Sequence, residues 1–359
     1  MLMDGLQNAF PSFLGEFQNN LFGATRVKES SSENIRKGLI KLIDLLKWRK
    51  IIGSDTRILI KPNFTAEYHH PGVTTSPQVI RGLVDILSKW GNEIAIIESN
   101  GGSWLFNASS AAKNHGIINL TREYNISWIN ISDLPTKKIT ETISNRKISL
   151  NLPADIEKTR NVLISLPVFK SHCMTKITLG LKNLWGLIPS ELRLLQHSKL
   201  NWYLPLIAKY YNHQLTLIDG IVGLEGNGPM FGNPIKMNIL FGGNNPIISD
   251  IVASWLMKIN PKSVDHIKSY ARYSDTSIDG VISQIPLSAT DFQKEMKFIR
   301  TPSNYLDLLT FKSQFLSKIV FDSSLTPLIY YLFNFVNGDR KSIPPKKLRE
   351  KFLAQENIM

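Results

Sequence analysis

Apolar residues recur along the chain at two different spacings, and their order predicts alternating helices and strands. The first set comprises a helix at 35–48, a strand at 57–63, a helix at 76–90 and a strand at 93–99. Ser30 and Glu33 match a capping box ahead of the first helix, and Pro77 suits the first position of the second helix. This order is typical of a βαβ unit, whose parallel strands end at the same edge of a sheet.

A second set of segments repeats this order further along the chain. It comprises strands at 161–169, 214–219 and 237–242 and helices at 175–187 and 246–257. Continuous apolar runs of this kind favour strands that are buried on both faces. Between the two sets, the segments 126–131 and 147–152 are predicted to form strands of an antiparallel edge or flap.

The pattern therefore predicts an α/β protein with mainly parallel sheets and flanking helices in two packed halves, plus a helical C-terminal extension. We expect an N-terminal helical lead-in at 1–50 and an α/β domain at 51–285, with halves at about 51–155 and 156–285. The remaining residues, 286–359, are expected to be helical or irregular and to carry a basic tail.

Composition restricts the compartment and the cofactors. The chain contains one cysteine, so we expect no internal disulfide and no iron–sulfur cluster or zinc site built from several thiolates of this chain. The N-terminus has no basic segment followed by an uninterrupted apolar core, which makes it a poor secretory signal. A cytoplasmic location is the simplest expectation.

The chain is basic, with a net charge of +13, but its lysines are scattered. No basic helix is interleaved with aromatic residues, so no specific nucleic-acid partner is expected. The densest basic stretch begins at Gly338 and follows an apolar segment at 325–336. Two explanations stay open for this region: peripheral contact with an anionic membrane surface, or an apolar helix that packs on the core. The oligomeric state also stays open.

Polar residues follow the predicted strands, where α/β proteins build their sites. Lys61 and Asn63 close the strand at 57–63. Lys170 directly follows the strand at 161–169, and Asn183 lies in the next predicted helix. We predict that these four residues help to bind an anionic small molecule or a nucleotide-like cofactor; a turn with solvated lysines is the alternative.

Two further residues of this region are candidates for catalysis. Lys182 falls within an otherwise apolar turn, where burial would lower its pKa or require an anionic partner. It would then bind phosphate or carboxylate, or act as an amine in covalent chemistry, unless it extends from the helix surface into solvent. His172 suits a general base or a metal ligand, although a single histidine is also commonly structural.

A glycine-rich loop at 219–234 follows another predicted strand. Gly226 and Gly228 allow the backbone to approach a ligand closely, and Asp219 is a candidate base or counter-ion. The glycine spacing matches neither a P-loop nor a dinucleotide-binding fingerprint.

The chain resembles a family known as domain of unknown function 362. The resemblance rests on ordered segments within residues 35–275, which read IKPN, GVTTSPQVI, LPVFKSH, TLGLKNLWGLIP, IDGIVGLEGNGPMFG and NNPIISDIVAS. Many members of the family continue into a cysteine-rich ferredoxin-like module, and we expect no electron-transfer role of that kind here. The resemblance implies a fold and candidate sites rather than a reaction.

A weaker resemblance concerns the nickel-pincer lactate racemases. His172, Lys182 and His197 occur in the order of a racemase acid/base histidine, cofactor-tethering lysine and metal-binding histidine. The resemblance implies hydride removal from a substrate carbon, with Lys182 holding a nickel-pincer nucleotide and His197 binding the metal. The residues before Lys182 are less basic and less glycine-rich than in the racemases.

Two classes of function follow. In the first, the chain is an enzyme, of an oxidoreductase or racemase type, that binds an anionic ligand and transfers a proton or hydride next to a carboxylate. In the second, it is a non-catalytic binding protein or scaffold at an anionic surface.

Overall fold

The computed structural model describes residues 10–154, 156 and 161–329, and within them the strands form one ten-stranded sheet and a separate two-stranded sheet. The strands are β1 (Ser12–Phe17), β2 (Asn20–Arg26), β3 (Arg57–Pro62), β4 (Ile94–Glu98), β5 (Ser127–Asn130), β6 (Thr136–Ile143), β7 (Arg146–Pro153), β8 (Asn161–Leu166), β9 (Val168–His172), β10 (Lys176–Ile177), β11 (His213–Glu225) and β12 (Asn233–Gly243).

The α-helices of the described residues flank the large sheet. They are α1 (Ser32–Leu45), α2 (Pro77–Ser88), α3 (Ala108–Asn114), α4 (Ile117–Tyr124), α5 (Leu179–Asn183), α6 (Leu200–Tyr210), α7 (Pro246–Leu256), α8 (Asp265–Tyr273), α9 (Ile278–Ser283), α10 (Pro302–Lys312) and α11 (Gln314–Phe321). A 3₁₀ segment at Glu191–Lys199 also matters for the site.

The large sheet has the strand order β1-β2-β12-β11-β8-β3-β4-β5. The strands β1, β2, β12 and β11 pair antiparallel with their neighbours in this order. The strands β11, β8, β3, β4 and β5 pair parallel. The molecule is therefore a mixed α/β protein with a mostly parallel central sheet, flanking helices and a helical C-terminal region, as predicted.

The central strands are buried on both faces. In β3, Ile58 and Ile60 lie in the core that also contains Leu39 of α1 and Leu83 of α2. The residue between them, Leu59, lies in the core on the opposite face of the sheet. This arrangement explains why these strands read as continuous apolar runs rather than as alternating ones.

The prediction of a purely helical lead-in at 1–50 was wrong, because β1 and β2 form a hairpin there that precedes α1. Strand β2 pairs with β12 and so extends the large sheet. The turn residues Gln18 and Asn19 both have positive φ, which suits a two-residue hairpin turn. In β1 the buried residues alternate with exposed ones, and this period of two was the available signal.

The two predicted halves share this sheet, since β8 of the second half pairs with β3 of the first. The segment at 126–131 was predicted to lie in an antiparallel edge or flap. Instead β5 pairs parallel with β4 at the edge of the large sheet. Strand β7 does pair antiparallel, with β6, in the separate hairpin. The domain boundaries themselves stay a prediction.

Two local predictions were shifted. Ser31, rather than Ser30, caps α1, since its side chain accepts a hydrogen bond from the backbone N–H of Asn34. The helix predicted at 175–187 is interrupted: β10 comes first, then the five-residue helix α5, then a 3₁₀ turn. Lys176 and Leu179 have positive φ, which prevents a continuous helix from 175.

The C-terminal region contains α10 and α11, and α10 contacts the 3₁₀ segment at 191–199. Most of the apolar segment at 325–336 and the whole basic tail lie outside the described residues. Among the described residues, no helix is both long and apolar enough to cross a membrane.

If the N-terminal hairpin is part of the core, Phe17→Ala should lower the free energy of unfolding by about 3–5 kcal/mol, because Phe17 is fully buried against the main core. Urea unfolding measures this change. Glu16→Ala, at the exposed neighbouring position, is the control and should change stability by less than about 0.5 kcal/mol. Equal effects of the two substitutions would contradict the placement of β1.

Candidate functional site

A pocket of about 290 Å³ lies where β3, β4 and β9 end and α5 begins. It brings together residues that are far apart in the sequence. Of the predicted site residues, those that line it are Lys61, Asn63, Lys170, His172, Lys182, Asn183 and His197. The carboxyl ends of parallel strands thus meet at one site, as the sequence predicted.

Lys61 and Glu98 form a buried ion pair at the base of the pocket. Their Nζ and Oε2 atoms lie 2.6 Å apart, and each side chain is no more than 3% exposed. Lys61 also donates to the carbonyl of Pro62, and Glu98 accepts from the backbone N–H of Ser99. Burial lowers the pKa of Lys61, and the Glu98 carboxylate acts in the opposite direction.

Lys170 is fully buried and joins β9 to the loop after β3. Its Nζ atom donates to Asn63 Oδ1 at 2.8 Å, to Thr65 Oγ1 at 2.9 Å and to the carbonyl of Val73 at 2.6 Å. These acceptors match the three donors of an ammonium group. Burial, followed by the charges of Lys182 and Lys61, lowers the pKa of Lys170 well below its usual value.

Lys182 differs from these two lysines because its ammonium makes no hydrogen bond or ion pair with any described residue. Its Nζ lies 6.0 Å from the centre of the Trp185 ring, and the side chain is 8% exposed. Burial, followed by the charge of Arg193, lowers the pKa of Lys182 to about 8. Lys182 is therefore a buried amine whose donors face the pocket.

Asp250 fixes the start of the short helix that carries Lys182. Its two carboxylate oxygens accept hydrogen bonds from the backbone N–H groups of Gly180 and Leu181, at 2.8 and 3.0 Å. Burial raises the pKa of Asp250 to about 8, although these two donors act in the opposite direction. A Cβ atom at Gly180 would lie 3.0 Å from Asp250 Oδ1, so the approach requires glycine.

His172 is neutral, because burial and the charges of Lys182 and Lys170 lower its pKa well below its usual value. Its Nδ1 atom accepts a hydrogen bond from the backbone N–H of Met174 at 3.2 Å. The proton of the neutral ring is therefore assigned to Nε2. His172 can donate a hydrogen bond from Nε2 to a ligand, and it is a poor base in this tautomer.

His197 has the opposite tautomer. Its Nδ1 atom lies 3.0 Å from the carbonyl oxygen of Leu194, which can only accept, so Nδ1 carries the proton and Nε2 has a free lone pair. The ring lies between Trp185 and Phe311, with centroid distances of 5.0 and 4.5 Å. Burial and the charge of Lys182 lower the pKa of His197 to about 3.

The assignment of His197 as a metal ligand stays a prediction. Within the described part of the chain, no group of three or more His, Cys, Asp or Glu side chains could hold a metal ion. A metal at His197 would have to take its other ligands from a bound cofactor. The free Nε2 lone pair of His197 and the unpaired amine of Lys182 have the chemistry that a tethered pincer nucleotide requires.

The prediction that Asp219 is catalytic assumed that a strand ends at this residue, and that assumption was wrong. Strand β11 does not end at Asp219 but continues to Glu225, so Asp219 lies inside the sheet and does not line the pocket. Its oxygens accept hydrogen bonds from the backbone N–H groups of Ser76 and Ile221. Asp219 therefore joins β11 to the start of α2, and burial raises its pKa.

Gly226 and Gly228 lie outside the lining of this pocket and pack against β9, and their contact with a ligand stays a prediction. The carbonyl of Gly228 accepts a hydrogen bond from the backbone of Cys173, and the carbonyl of Gly226 accepts one from the Ser171 hydroxyl. A Cβ atom at Gly228 would lie 2.1 Å from the Ser171 carbonyl oxygen. Gly228 thus allows the loop to approach β9, whereas Gly226 has a positive φ. Of this loop, Pro229 lines the pocket.

Several residues that line the pocket were missed. Glu98 ends a predicted buried strand, so its position was a usable signal. Arg193 and Phe311 had no such signal, because they lie in segments without a strong hydrophobic pattern. Arg193 donates to the backbone carbonyls of Asn100 and Ser190. The C-terminal extension thus supplies one wall of the pocket through Phe311.

The lining of the pocket carries more positive than negative groups. Its cationic side chains are those of Lys61, Lys170, Lys182 and Arg193, and its one carboxylate is that of Glu98. Cys173 also lines the pocket, but burial raises its pKa to about 11, so the thiol is protonated.

Comparison with known proteins supports the resemblance to one family. A family model described as domain of unknown function (DUF362) matches residues 58–255, which is more than half of the chain. A thylakoid-associated protein of Synechocystis sp. is 25% identical over 225 residues, which cover 60% of this chain and 67% of that protein.

A solved structure, of a protein from Thermotoga maritima, is 15% identical with a TM-score of 0.35. The alignment covers 54% of this chain and 51% of that one, so the chain spans about half the length of that protein. The resemblance to nickel-pincer racemases stays a prediction.

Removal of the carboxylate of the buried ion pair should destabilise the protein. Glu98→Gln leaves the Lys61 ammonium buried without its charge partner and should lower the free energy of unfolding by about 3–5 kcal/mol in urea unfolding. The double variant Lys61→Met with Glu98→Gln should recover more than half of this loss. Glu123→Gln, in the exposed pair with Arg81, is the control and should cost less than about 1 kcal/mol. A Glu98→Gln protein as stable as the wild type would refute the pairing.

Proposed function

We propose a function for this chain, which belongs to the DUF362 family, a family whose description assigns no activity. The pocket binds an anionic small molecule, and its residues transfer a proton or hydride at a carbon next to the carboxylate of that molecule. The observation that carries this proposal is the unpaired amine of Lys182 in a buried pocket with surplus positive charge. Buried cations are unfavourable unless an opposite charge compensates them, and a bound carboxylate or phosphate supplies that charge.

The residues of the pocket divide into two roles in this proposal. Lys61 and Lys170 hold the walls, because their hydrogen bonds are made within the protein. Lys182 and His172 face the ligand. With its pKa at about 8, Lys182 has a substantial neutral fraction near neutral pH and accepts a proton from the substrate carbon. His172 donates from Nε2 to the oxygen that gains negative charge.

Hydride transfer would require a cofactor in addition to these residues. Lys182 and His197 are the residues that would hold a nickel-pincer nucleotide, which supplies a hydride acceptor when bound. The Trp185 and Phe311 rings on either side of His197 would exclude water from it. The intact mass of protein purified from its own host tests for such a tether, because a covalent cofactor adds mass to the peptide that contains Lys182.

The second candidate function is a non-catalytic contact with an anionic membrane surface. It is favoured by exposed apolar side chains on the C-terminal helices α10 and α11 and on the residues that follow them. These side chains are Tyr305, Leu309, Phe315 and Leu316 on the helices, and Leu325 and Leu328 after them. The relative from Synechocystis sp. is named a thylakoid-associated protein, which agrees with this alternative. The basic tail that follows these helices would add electrostatic attraction. A cytoplasmic location and the absence of a nucleic-acid partner stay predictions.

If the pocket binds anions through Lys182, Lys182→Met should weaken binding on the order of tenfold to a hundredfold without unfolding the protein. The measurement is the shift in melting temperature of the wild type with acetate, lactate, oxalate, malonate and inorganic phosphate, followed by titration calorimetry. Methionine keeps the length of the side chain and removes only its charged donors. Lys199→Met, outside the pocket lining, is the control.

The proposal also expects exchange of the substrate hydrogen with solvent. The hydrogen on the carbon next to the carboxylate of a bound ligand should exchange in D₂O, as observed by NMR, and Lys182→Met should abolish the exchange. A Lys182→Met protein that binds every anion as the wild type does would refute the site. Anion binding without exchange for any ligand would leave a binding protein and refute the catalytic role.

Membrane contact can be tested separately from the pocket. Phe315→Asp should reduce sedimentation with vesicles that contain phosphatidylserine on the order of tenfold, because the 73% exposed Phe315 ring would otherwise enter the lipid surface. Leu287→Asp, at an exposed apolar residue outside α10 and α11, is the control. Deletion of residues 337–359 should have a similar effect. If neither change alters sedimentation, the membrane alternative fails.

A further inference from the structure

Three lysines line the pocket, and among them only Lys182 makes no hydrogen bond or ion pair with any described residue. Lys61 is paired with Glu98, and the Nζ atom of Lys170 has three oxygen acceptors within 2.9 Å. The amine of Lys182 makes no hydrogen bond with any described residue and lies beside the ring of Trp185. A buried amine that no carboxylate neutralises is available as a nucleophile once it loses its proton.

We propose that the Nζ atom of Lys182 forms an imine with the carbonyl carbon of a small 2-oxo acid that is bound in the pocket. This inference rests on the proposed function and specifies its ligand class. A 2-oxo acid carries both groups that the site accommodates: a carboxylate for the surplus positive charge, and a carbonyl next to it for the amine. The pocket volume of about 290 Å³ suits a ligand of that size.

The reaction balances without an oxidant or reductant. The neutral amine adds to the carbonyl carbon, so that a C–N bond forms and the C–O π bond breaks. A proton passes from the nitrogen to the oxygen and gives a carbinolamine, whose C–O bond then breaks. The hydroxyl leaves as water with the second proton of the amine nitrogen, and a C=N bond forms. The sum is one amine and one carbonyl giving one imine and one water.

His172 is placed to assist the departure of water. Its Nδ1 atom is occupied by the backbone N–H of Met174, so the Nε2–H is the group that it offers to the carbinolamine oxygen. The charge of Lys182 acts on both His172 and His197, which places all three groups in one electrostatic cluster. The lone pair of His197 Nε2 is the acceptor of this cluster.

Asp250 fixes the backbone turn from which the Lys182 side chain extends. Asp250 accepts from the backbone N–H groups of Gly180 and Leu181 and so anchors the first turn of α5. A fixed backbone limits the positions that the amine can adopt and so reduces the entropy that it loses when it attacks a bound carbonyl. The imine consumes the amine of Lys182 and is therefore an alternative to the role of that amine as the base of the proposed proton transfer.

The neutral fraction of this amine is unusually high. Because burial and the charges of Arg193 and Lys61 lower its pKa to about 8, roughly half of the Lys182 side chains are neutral at pH 8. An ordinary exposed lysine is less than about 1% neutral at that pH. Lys182 should therefore react far ahead of the exposed lysines of the chain. The buried amines of Lys61 and Lys170 are held by hydrogen bonds within the protein and should not compete with it.

The test uses glyoxylate, the smallest 2-oxo acid, with the full-length chain at pH 8. Sodium borohydride reduces any imine to a stable secondary amine, and peptide mass mapping locates it. Labelling of Lys182 should exceed that of the half-buried Lys176 on the order of tenfold or more. Lys182→Arg is the matched control, since it keeps the charge and removes the nucleophile, and it should abolish the label in that peptide.

The outcomes separate this inference from the proposed function. Selective labelling of Lys182 supports the imine. If glyoxylate raises the melting temperature of the wild type but leaves Lys182 unlabelled, the imine is refuted and the anion-binding site stands. If glyoxylate neither binds nor labels, and the other anions also fail to bind, both proposals are refuted.

Discussion

The ion pair between Lys61 and Glu98 determines how the ends of β3 and β4 are built, and the pocket depends on it. The carboxylate of Glu98 accepts from Lys61 and from the backbone N–H groups of Phe64 and Ser99, so one side chain organises two strand ends. The turn after α5 closes over the pair at Gly186. A Cβ atom there would lie 2.9 Å from Glu98 Oε1 and 3.0 Å from Lys61 Nζ. The pair therefore also packs directly against the turn after α5.

The pair of Lys61 and Glu98 takes up the one carboxylate of the pocket lining, so that the other cations of the lining have no carboxylate partner there. The charges of Lys170, Lys182 and Arg193 remain without a carboxylate of their own in that lining. Lys170 compensates with neutral oxygens and Arg193 with backbone carbonyls. The ammonium of Lys182 has no such hydrogen bonds with the described residues. Its burial therefore destabilises the charged form and lowers the pKa. Loss of the proton relieves this cost, and so would the anionic ligand that we propose.

The sequence predicted the central strands of the sheet, the helices α1, α2 and α7, and the group of polar residues that meet at the strand ends. These predictions succeeded because each depends on local periodicity or on the rule that parallel strands end at one edge. It failed at Asp219 because an apolar run does not reveal where a strand stops: β11 continues for six residues beyond Asp219. It also gave no sign of Arg193 or Phe311, since both reach the pocket through tertiary packing.

The three lysines of the pocket show why burial alone does not identify a functional residue. Lys61, Lys170 and Lys182 are 2%, 0% and 8% exposed, so exposure barely distinguishes them. What distinguishes them is that Lys61 and Lys170 make hydrogen bonds within the protein, whereas Lys182 makes none with any described residue. A satisfied buried lysine contributes to a unique fold, because its partners come from distant segments. An unsatisfied one is costly in the free protein, and the cost is recovered when a ligand binds. The hydrogen bonds of Lys61 and Lys170 thus give these lysines a structural role, and their absence at Lys182 is why the proposed chemical role falls on that residue.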